Sequence, residues 1–176
     1  MSSLLYFIHR YRCFFPPVMI IVSGYGWKML EIGIVWRPSK SIRVLYGGIT
    51  FNESGSQMVT CSDDLSLMLW QCEDGPNNAS KWSIVSILKN LHEFTIYSVE
   101  WSYQSNYIVS AGADNSIVIS YRGDDSDGDT FAVFCSVKEA HASDINCVRF
   151  NPNLEFCDMI VSTGDDGLVK IWRLKI

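Results

Sequence analysis

Three stretches of this chain repeat one another in register, and nothing else in the sequence restricts the fold as strongly. The first runs Met58-Val59-Thr60-Cys61-Ser62-Asp63-Asp64-Leu65-Ser66-Leu67-Met68-Leu69-Trp70. The second runs Ile108-Val109-Ser110-Ala111-Gly112-Ala113-Asp114-Asn115-Ser116-Ile117-Val118-Ile119-Ser120. The third runs Ile160-Val161-Ser162-Thr163-Gly164-Asp165-Asp166-Gly167-Leu168-Val169-Lys170-Ile171-Trp172. In each, an Asp (64, 114, 166) lies six residues before the last position, and a Ser or Thr (60, 110, 162) lies four before that Asp. The Asp-to-Asp period is 50 and then 52 residues. Periods of roughly 20–50 residues mark architectures whose units bury their apolar faces only against the next unit.

A second template lies upstream. His92 is followed by Ile96, Val99 and Trp101, and His141 by Ile145, Val148 and Phe150, at the same offsets. The pairs Val99/Trp101 and Val148/Phe150 alternate, so both members face one side of a strand. Turn residues follow at Asn52-Glu53-Ser54-Gly55-Ser56, Gln104-Ser105-Asn106 and Asn151-Pro152-Asn153. Each unit therefore reads strand, turn, strand, Asp-bearing turn, strand, and a fourth strand is expected at Trp82–Leu88 and at Phe131–Val137. No segment shows sustained helical periodicity. Four short strands per period of about 50 residues describe a propeller blade. Composition agrees. At 48% hydrophobic and 19% charged residues, the chain is too apolar for whole-chain disorder. A net charge of −5 argues against a general nucleic-acid binder, which needs a basic face for phosphate.

On these residues the chain resembles the WD40 repeat family over about 44–176. The resemblance implies an all-β, partial β-propeller of about three four-stranded antiparallel blades, at about 44–91, 92–139 and 140–176. It also implies a buried, hydrogen-bonded Trp–Ser/Thr–His–Asp set in each blade. The third blade has all four, as Trp172, Ser162, His141 and Asp166. The second has His92, Ser110 and Asp114, with Ser120 in place of the Trp. The first has Thr60, Asp64 and Trp70, with Ile42 where the His belongs.

Ser162, His141 and Asp166 are also the residue types of a hydrolase triad, and a serine hydrolase is the alternative in another class. Triads are defined by geometry, however, and the same types recur in the second unit at the same offsets. No G-x-S-x-G elbow is present. A structural set that ties a loop to the Asp turn accounts for both copies, so the expectation is a chain without enzymatic activity. The six cysteines form no C-x-x-C pair and have no nearby His to complete a zinc site. Reduced, buried thiols of a cytosolic protein are expected, and no cofactor. Gly24-Tyr25-Gly26 lacks the third glycine of a dinucleotide loop. The run 123–129 is acidic, but aligning Gly128 to the invariant glycine of a calcium loop leaves the first and last ligands missing. A solvated hairpin loop is expected there. The longest apolar run, 13–22, has ten residues and two prolines, short of the roughly 20 needed to span a bilayer. A secretory signal ending at Val22-Ser23-Gly24 is the alternative, and it would make Asn78-Ala79-Ser80 a glycosylation acceptor.

Binding through a surface is what remains. In the family's pattern, the residues just before each Asp and around the start of the first strand face one rim of the central channel. Here those are Asp63, Thr95, Tyr97, Asp144, Asn146 and Asp165. Tyr97 is an aromatic of the kind enriched in interface hot spots.

The stretches Thr95–Trp101 and Ala140–Pro152 look most similar to the last blades of the WD40 scaffold of cytosolic iron–sulfur protein assembly, the Ciao or Cia family. Thr60–Asp64 and Ser162–Gly167 fit its blade turns. That resemblance implies a non-catalytic, seven-bladed scaffold of the targeting complex that delivers [4Fe–4S] clusters to apoproteins, cytoplasmic with a nuclear pool. It implies a DUF59-type small subunit and a HEAT-repeat adaptor as partners, with no nucleic acid and no membrane. A generic WD40 adaptor in ubiquitin ligation or signalling is the alternative among binding proteins. The chain departs from the scaffold in having three blades rather than seven. Residues 1–43 are expected to be an irregular or degenerate segment, a truncated or altered start. A chain ending on the third strand of its last blade matches the family.

Overall fold

The computed structural model describes residues 46–73, 82–103, 105–122 and 131–175. The segment 1–43 with Ile42, the acceptor sequence Asn78-Ala79-Ser80 and the acidic run 123–129 lie outside the described residues.

Eleven strands among the described residues form three antiparallel sheets. The first holds β1 (Tyr46–Phe51), β2 (Gln57–Ser62), β3 (Leu67–Cys72) and β4 (Trp82–Leu88), in that order. The second holds β5 (Ile96–Trp101), β6 (Tyr107–Gly112), β7 (Ile117–Arg122) and β8 (Phe131–Val137). The third holds β9 (Ile145–Phe150), β10 (Met159–Gly164) and β11 (Val169–Arg173). Four strands per blade therefore describes two of the sheets. The third has three among the described residues, with β10 at its centre. The only helical element described is a 3-10 turn at Leu154–Phe156, capped by Asn153, whose side chain accepts from the Glu155 amide.

The sheets are three copies of one register. Each repeat's Ser or Thr sits on the central strand opposite a partner on the next: Thr60 faces Met68, Ser110 faces Val118 and Ser162 faces Lys170. Each inner pair is bulged at the same place, between Tyr46 and Gly48, Ile96 and Ser98, and Thr163 and Gly164. A bulge re-aims the strand and sharpens its twist, and here it lies next to the turn that carries the Asp.

Blades pack face to face through alternate residues. Val59, Cys61, Leu67 and Leu69 of the first sheet cluster with Ile96, Val99, Trp101 and Ile108 of the second. Val109, Ala111, Ile117 and Ile119 of the second cluster with Ile145, Val148, Phe150 and Ile160 of the third. β2 and β6 are buried on both faces along their whole length, which explains why neither carries a charged residue. Full burial of each Leu or Ile contributes about 1.5–3 kcal/mol. The outer face of the third sheet is different. Val169 and Ile171, equivalent to the fully buried Leu67 and Leu69, are 69% and 70% exposed.

Candidate functional site

The polar residues of each repeat converge at one end of its blade, where the loop before the inner strand meets the Asp turn. In the third blade Trp172 Nε1 donates to Ser162 Oγ at 2.8 Å, and Ser162 Oγ meets His141 Nε2 at 2.8 Å. His141 Nδ1 lies 2.9 Å from both Asp166 oxygens. A carboxylate only accepts, so Nδ1 carries the proton, Nε2 accepts from the Ser162 hydroxyl, and that hydroxyl oxygen accepts from the indole. A neutral imidazole satisfies every member. The Asp166 carboxylate also accepts from the amides of Ala142 and Leu168, each at 3.0 Å, binding the loop to the turn. The His141 bond, with those amides, holds the Asp166 carboxyl down at about 2.

The second blade repeats this without the indole. His92 Nδ1 lies 2.9 Å from Asp114 Oδ2, and Nε2 lies 2.9 Å from Ser110 Oγ. The amides of Glu93 and Ser116 donate to the Asp114 carboxylate at 3.0 and 3.1 Å. Burial pushes the Asp114 carboxyl up, and the His92 bond with these amides outweighs it, so it sits below its ordinary value. Ser120 takes the indole's place, and its buried Oγ has no hydrogen-bond partner. In the first blade Trp70 Nε1 donates to Thr60 Oγ1 at 3.0 Å. Asp64 accepts from the Ser66 amide at 3.0 Å and from its hydroxyl at 2.5 Å, within its own turn. Ile42, the residue where a histidine belongs, lies outside the described residues.

Two glycines let the loops approach this closely. A Cβ on Gly112 would lie 2.0 Å from the Thr95 carbonyl oxygen. One on Gly164 would lie 2.8 Å from His141 Nδ1 and 3.0 Å from the Asp144 carbonyl oxygen. Those same carbonyls accept from the residues after the glycines, Ala113 and Asp165, at 2.9 Å each.

Four of the six rim candidates are joined by hydrogen bonds across the second and third blades. Tyr97 Oη donates to Asp144 Oδ2 at 3.2 Å, the Asp165 amide donates to the Asp144 carbonyl at 2.9 Å, and Asn146 Nδ2 donates to Asp165 Oδ1. Thr95 is held through its carbonyl by Ala113, and Asp63 accepts from the Ser62 hydroxyl at 3.2 Å on the first blade. Asn146 and Asp165 are exposed, while Asp63, Thr95, Tyr97 and Asp144 are half-buried. Phe94, 60% exposed in the loop just before Thr95, joins this rim without having been singled out by spacing. Its signal is the aromatic among polar residues in Glu93-Phe94-Thr95. Among the described residues no group of three His, Cys, Asp or Glu side chains is placed to hold a metal ion. None of their helices is long and apolar enough to cross a membrane.

Residues 40–71, 83–119 and 132–173 match the family model of the WD domain, G-beta repeat. Among curated proteins, the chain is 39% identical over 95 residues to a "Probable cytosolic iron-sulfur protein assembly protein CIAO1 homolog" of Dictyostelium discoideum, covering 54% of this chain and 28% of that protein. It is 33% identical over 135 residues to a "Probable cytosolic iron-sulfur protein assembly protein Ciao1" of Aedes aegypti, covering 71% and 39%. It is 30% identical over 175 aligned residues to a "Probable cytosolic iron-sulfur protein assembly protein 1" of Candida albicans, covering 87% and 44%. The chain thus spans less than half the length of these relatives. With three family-model matches, the second and third each running from the last strand of one sheet through the first three strands of the next, and the repeated polar set at one end of the blades, the chain belongs to the WD40 repeat family.

Proposed function

We propose that the chain is a non-catalytic protein-binding scaffold of cytosolic iron–sulfur protein maturation, acting in the targeting complex that delivers [4Fe–4S] clusters to apoproteins. The observation that carries this reading is its likeness to relatives that share one printed role, with matches extending over as much as 87% of the chain. Its compartment is then the cytoplasm, with a nuclear pool, and its partners are a DUF59-type small subunit and a HEAT-repeat adaptor. The division into a segment 1–43 and blades at about 44–91, 92–139 and 140–176 is part of the same proposal. So is the rim of Asp63, Thr95, Tyr97, Asp144, Asn146 and Asp165 as the partner-binding face. Burial supports the non-catalytic role. Ser162 is fully buried and its Oγ is capped by the Trp172 indole, so a substrate carbonyl has no approach to it.

The test is co-purification of the chain with the DUF59-type protein and the HEAT-repeat adaptor, with and without an iron chelator. Capture that persists in chelator and weakens on Tyr97→Ala or Asp144→Ala supports the scaffold and its rim. An interface of three blades has fewer anchors than one of seven, each worth about 2 kcal/mol or more, so affinity is expected below that of a seven-bladed relative. Capture of neither partner by this chain or by a version extended to seven blades removes the iron–sulfur role and leaves a generic adaptor. Labelling of Ser162 by an activity-based serine probe would overturn the non-catalytic reading.

A further inference from the structure

Inner strands of neighbouring blades run side by side, and their facing edges carry amide groups that the sheet ladders do not use. Buried amides need acceptors. At the first junction Thr50 Oγ1 of β1 accepts from the Trp101 amide of β5 at 3.2 Å. At the second, Ser98 Oγ of β5 accepts from the Val148 amide of β9 at 3.1 Å, and a Glu100 carboxyl oxygen, an acceptor in either protonation state, accepts from the Phe150 amide. Thr50 and Glu100 are repeat-equivalent, each preceding the aromatic that ends its inner strand, Phe51 or Trp101. One structural task is thus done by a hydroxyl at one junction and by an ionisable group at the next. The equivalent residue of the third blade, Arg149, is a donor. Its guanidinium turns back to Ser98 Oγ at 3.0 Å and to its own strand's Val148 carbonyl at 2.7 Å.

We propose that the junction between the second and third blades is proton-linked: the Glu100 carboxyl takes up a proton when the junction closes and releases it when the junction opens. Electrostatics supports the geometry. Burial pushes the Glu100 carboxyl up to about 7, although the Phe150 amide and the Arg149 charge both favour its ionised form. The strands packed on β5 supply no other charged side chain. β2 brings Cys61 as its titratable residue, β6 brings Tyr107, and β9 brings Cys147 and Arg149, while the described side chains of β1 include no titratable group. An opened junction returns the carboxylate to water and to its ordinary value of 4.5. The folded-state value is the raised one. The stabilisation is therefore complete below pH 4.5 and is lost as pH rises through about 7. The first junction, held by a hydroxyl, has no such dependence.

The experiment is amide hydrogen exchange across pH 5–8.5 on the whole chain, corrected for intrinsic rates, comparing the Phe150 amide with the Trp101 amide as internal control. Two and a half pH units allow about 300-fold in all, of which about 75-fold falls between pH 5 and 8.5, so protection of Phe150 relative to Trp101 is expected to drop by about 75-fold over that range. In Glu100→Gln, which keeps an acceptor and removes the titration, the ratio is expected to be flat. A ratio equally pH-dependent in parent and Glu100→Gln would overturn the proposal. Should Glu100→Gln fail to fold, carbon-13 NMR titration of the parent decides. A Glu100 carboxyl midpoint near 7 supports the link, and one in the ordinary carboxylate range overturns it.

Discussion

Replacing the hydroxyl at the centre of the polar set is expected to cost different amounts in different blades. Ser162 Oγ serves two partners, His141 Nε2 and Trp172 Nε1, both at 2.8 Å, while Ser110 Oγ serves His92 Nε2 at 2.9 Å with no indole on its blade. Leaving a buried donor or acceptor unpaired costs about 1–3 kcal/mol. Ser162→Ala therefore costs roughly 2–4 kcal/mol, discounted because Trp172 is half-buried and its indole reaches water in part, and Ser110→Ala roughly 1–2 kcal/mol. Urea unfolding followed by circular dichroism measures both, with an unchanged m-value as the check that the same transition is being compared. Site resolution comes from exchange of the amides that each Asp holds, Ala142 and Leu168 in one blade and Glu93 and Ser116 in the other. Trp172→Phe, which removes the second donor, should bring the cost of Ser162→Ala down to that of Ser110→Ala, a coupling visible in a double-mutant cycle. Equal losses for the two serines in the parent chain, or no coupling to Trp172, would refute the claim that paired partners set the cost.

Ser120→Ala removes a buried hydroxyl that has no partner, so urea unfolding should show it neutral or stabilising by about 1 kcal/mol. The Asp166 carboxyl at about 2 and the Asp114 carboxyl below its ordinary 3.8 are depressed in the folded chain. Their stabilisation is present above pH 3.8 and lost as pH falls through each folded-state value, about 2 for Asp166, so acid titration of the far-ultraviolet signal should be shallower in Asp166→Asn and Asp114→Asn. The exposed Val169 and Ile171 face, and an outer edge of β11 with which no strand pairs among the described residues, favour association. Light scattering should find the parent chain larger than its 20.0 kDa mass, with Ile171→Lys reducing that mass at an unchanged urea midpoint.

Strand order was open to reading because packing imposes a period on the sequence. β4 and β8 occupy Trp82–Leu88 and Phe131–Val137, the two apolar-rich stretches where the repeat leads one to expect a fourth strand. Bulges and central-strand registers repeat because each blade must present the same two faces to its neighbours. Residue types and offsets of the polar set are equally visible, since the Ser-to-Asp distance is fixed by one hairpin. What spacing does not disclose is contact between blades. Glu100 and Ser98 meet β9 amides some 50 residues away, and nothing local to either residue announces this. The one cue is alignment of the residue before each strand-ending aromatic, Thr50, Glu100 and Arg149, where the chemistry changes while the backbone position does not. The 3-10 turn at Leu154–Phe156 escaped a periodicity search because three residues are too few to show a period.

The same comparison separates scaffold from individuality. Positions that keep their chemistry in all three units, such as the Asp of each turn and the Ser or Thr of each central strand, are accounted for by what a blade needs to hold its loop. Positions that keep their backbone place but change their side chain have no such account. Gly47, Tyr97 and Asn146 share one place at the start of the inner strand, three residues before Thr50, Glu100 and Arg149. Packing explains the first, where a Cβ would lie 2.6 Å from the Ile96 carbonyl oxygen. It does not require a phenol or an amide at the other two. Tyr97 reaches across a blade boundary to Asp144, and Asn146 reaches Asp165. Together they give the rim of the second and third blades a hydrogen-bonded pattern that the first blade does not repeat at Gly47. On the proposed partner-binding rim, chain-specific recognition would therefore belong at that boundary. It lies beside the junction whose closure depends on Glu100, so a partner spanning Tyr97 and Asn146 would grip the two blades that this carboxyl joins.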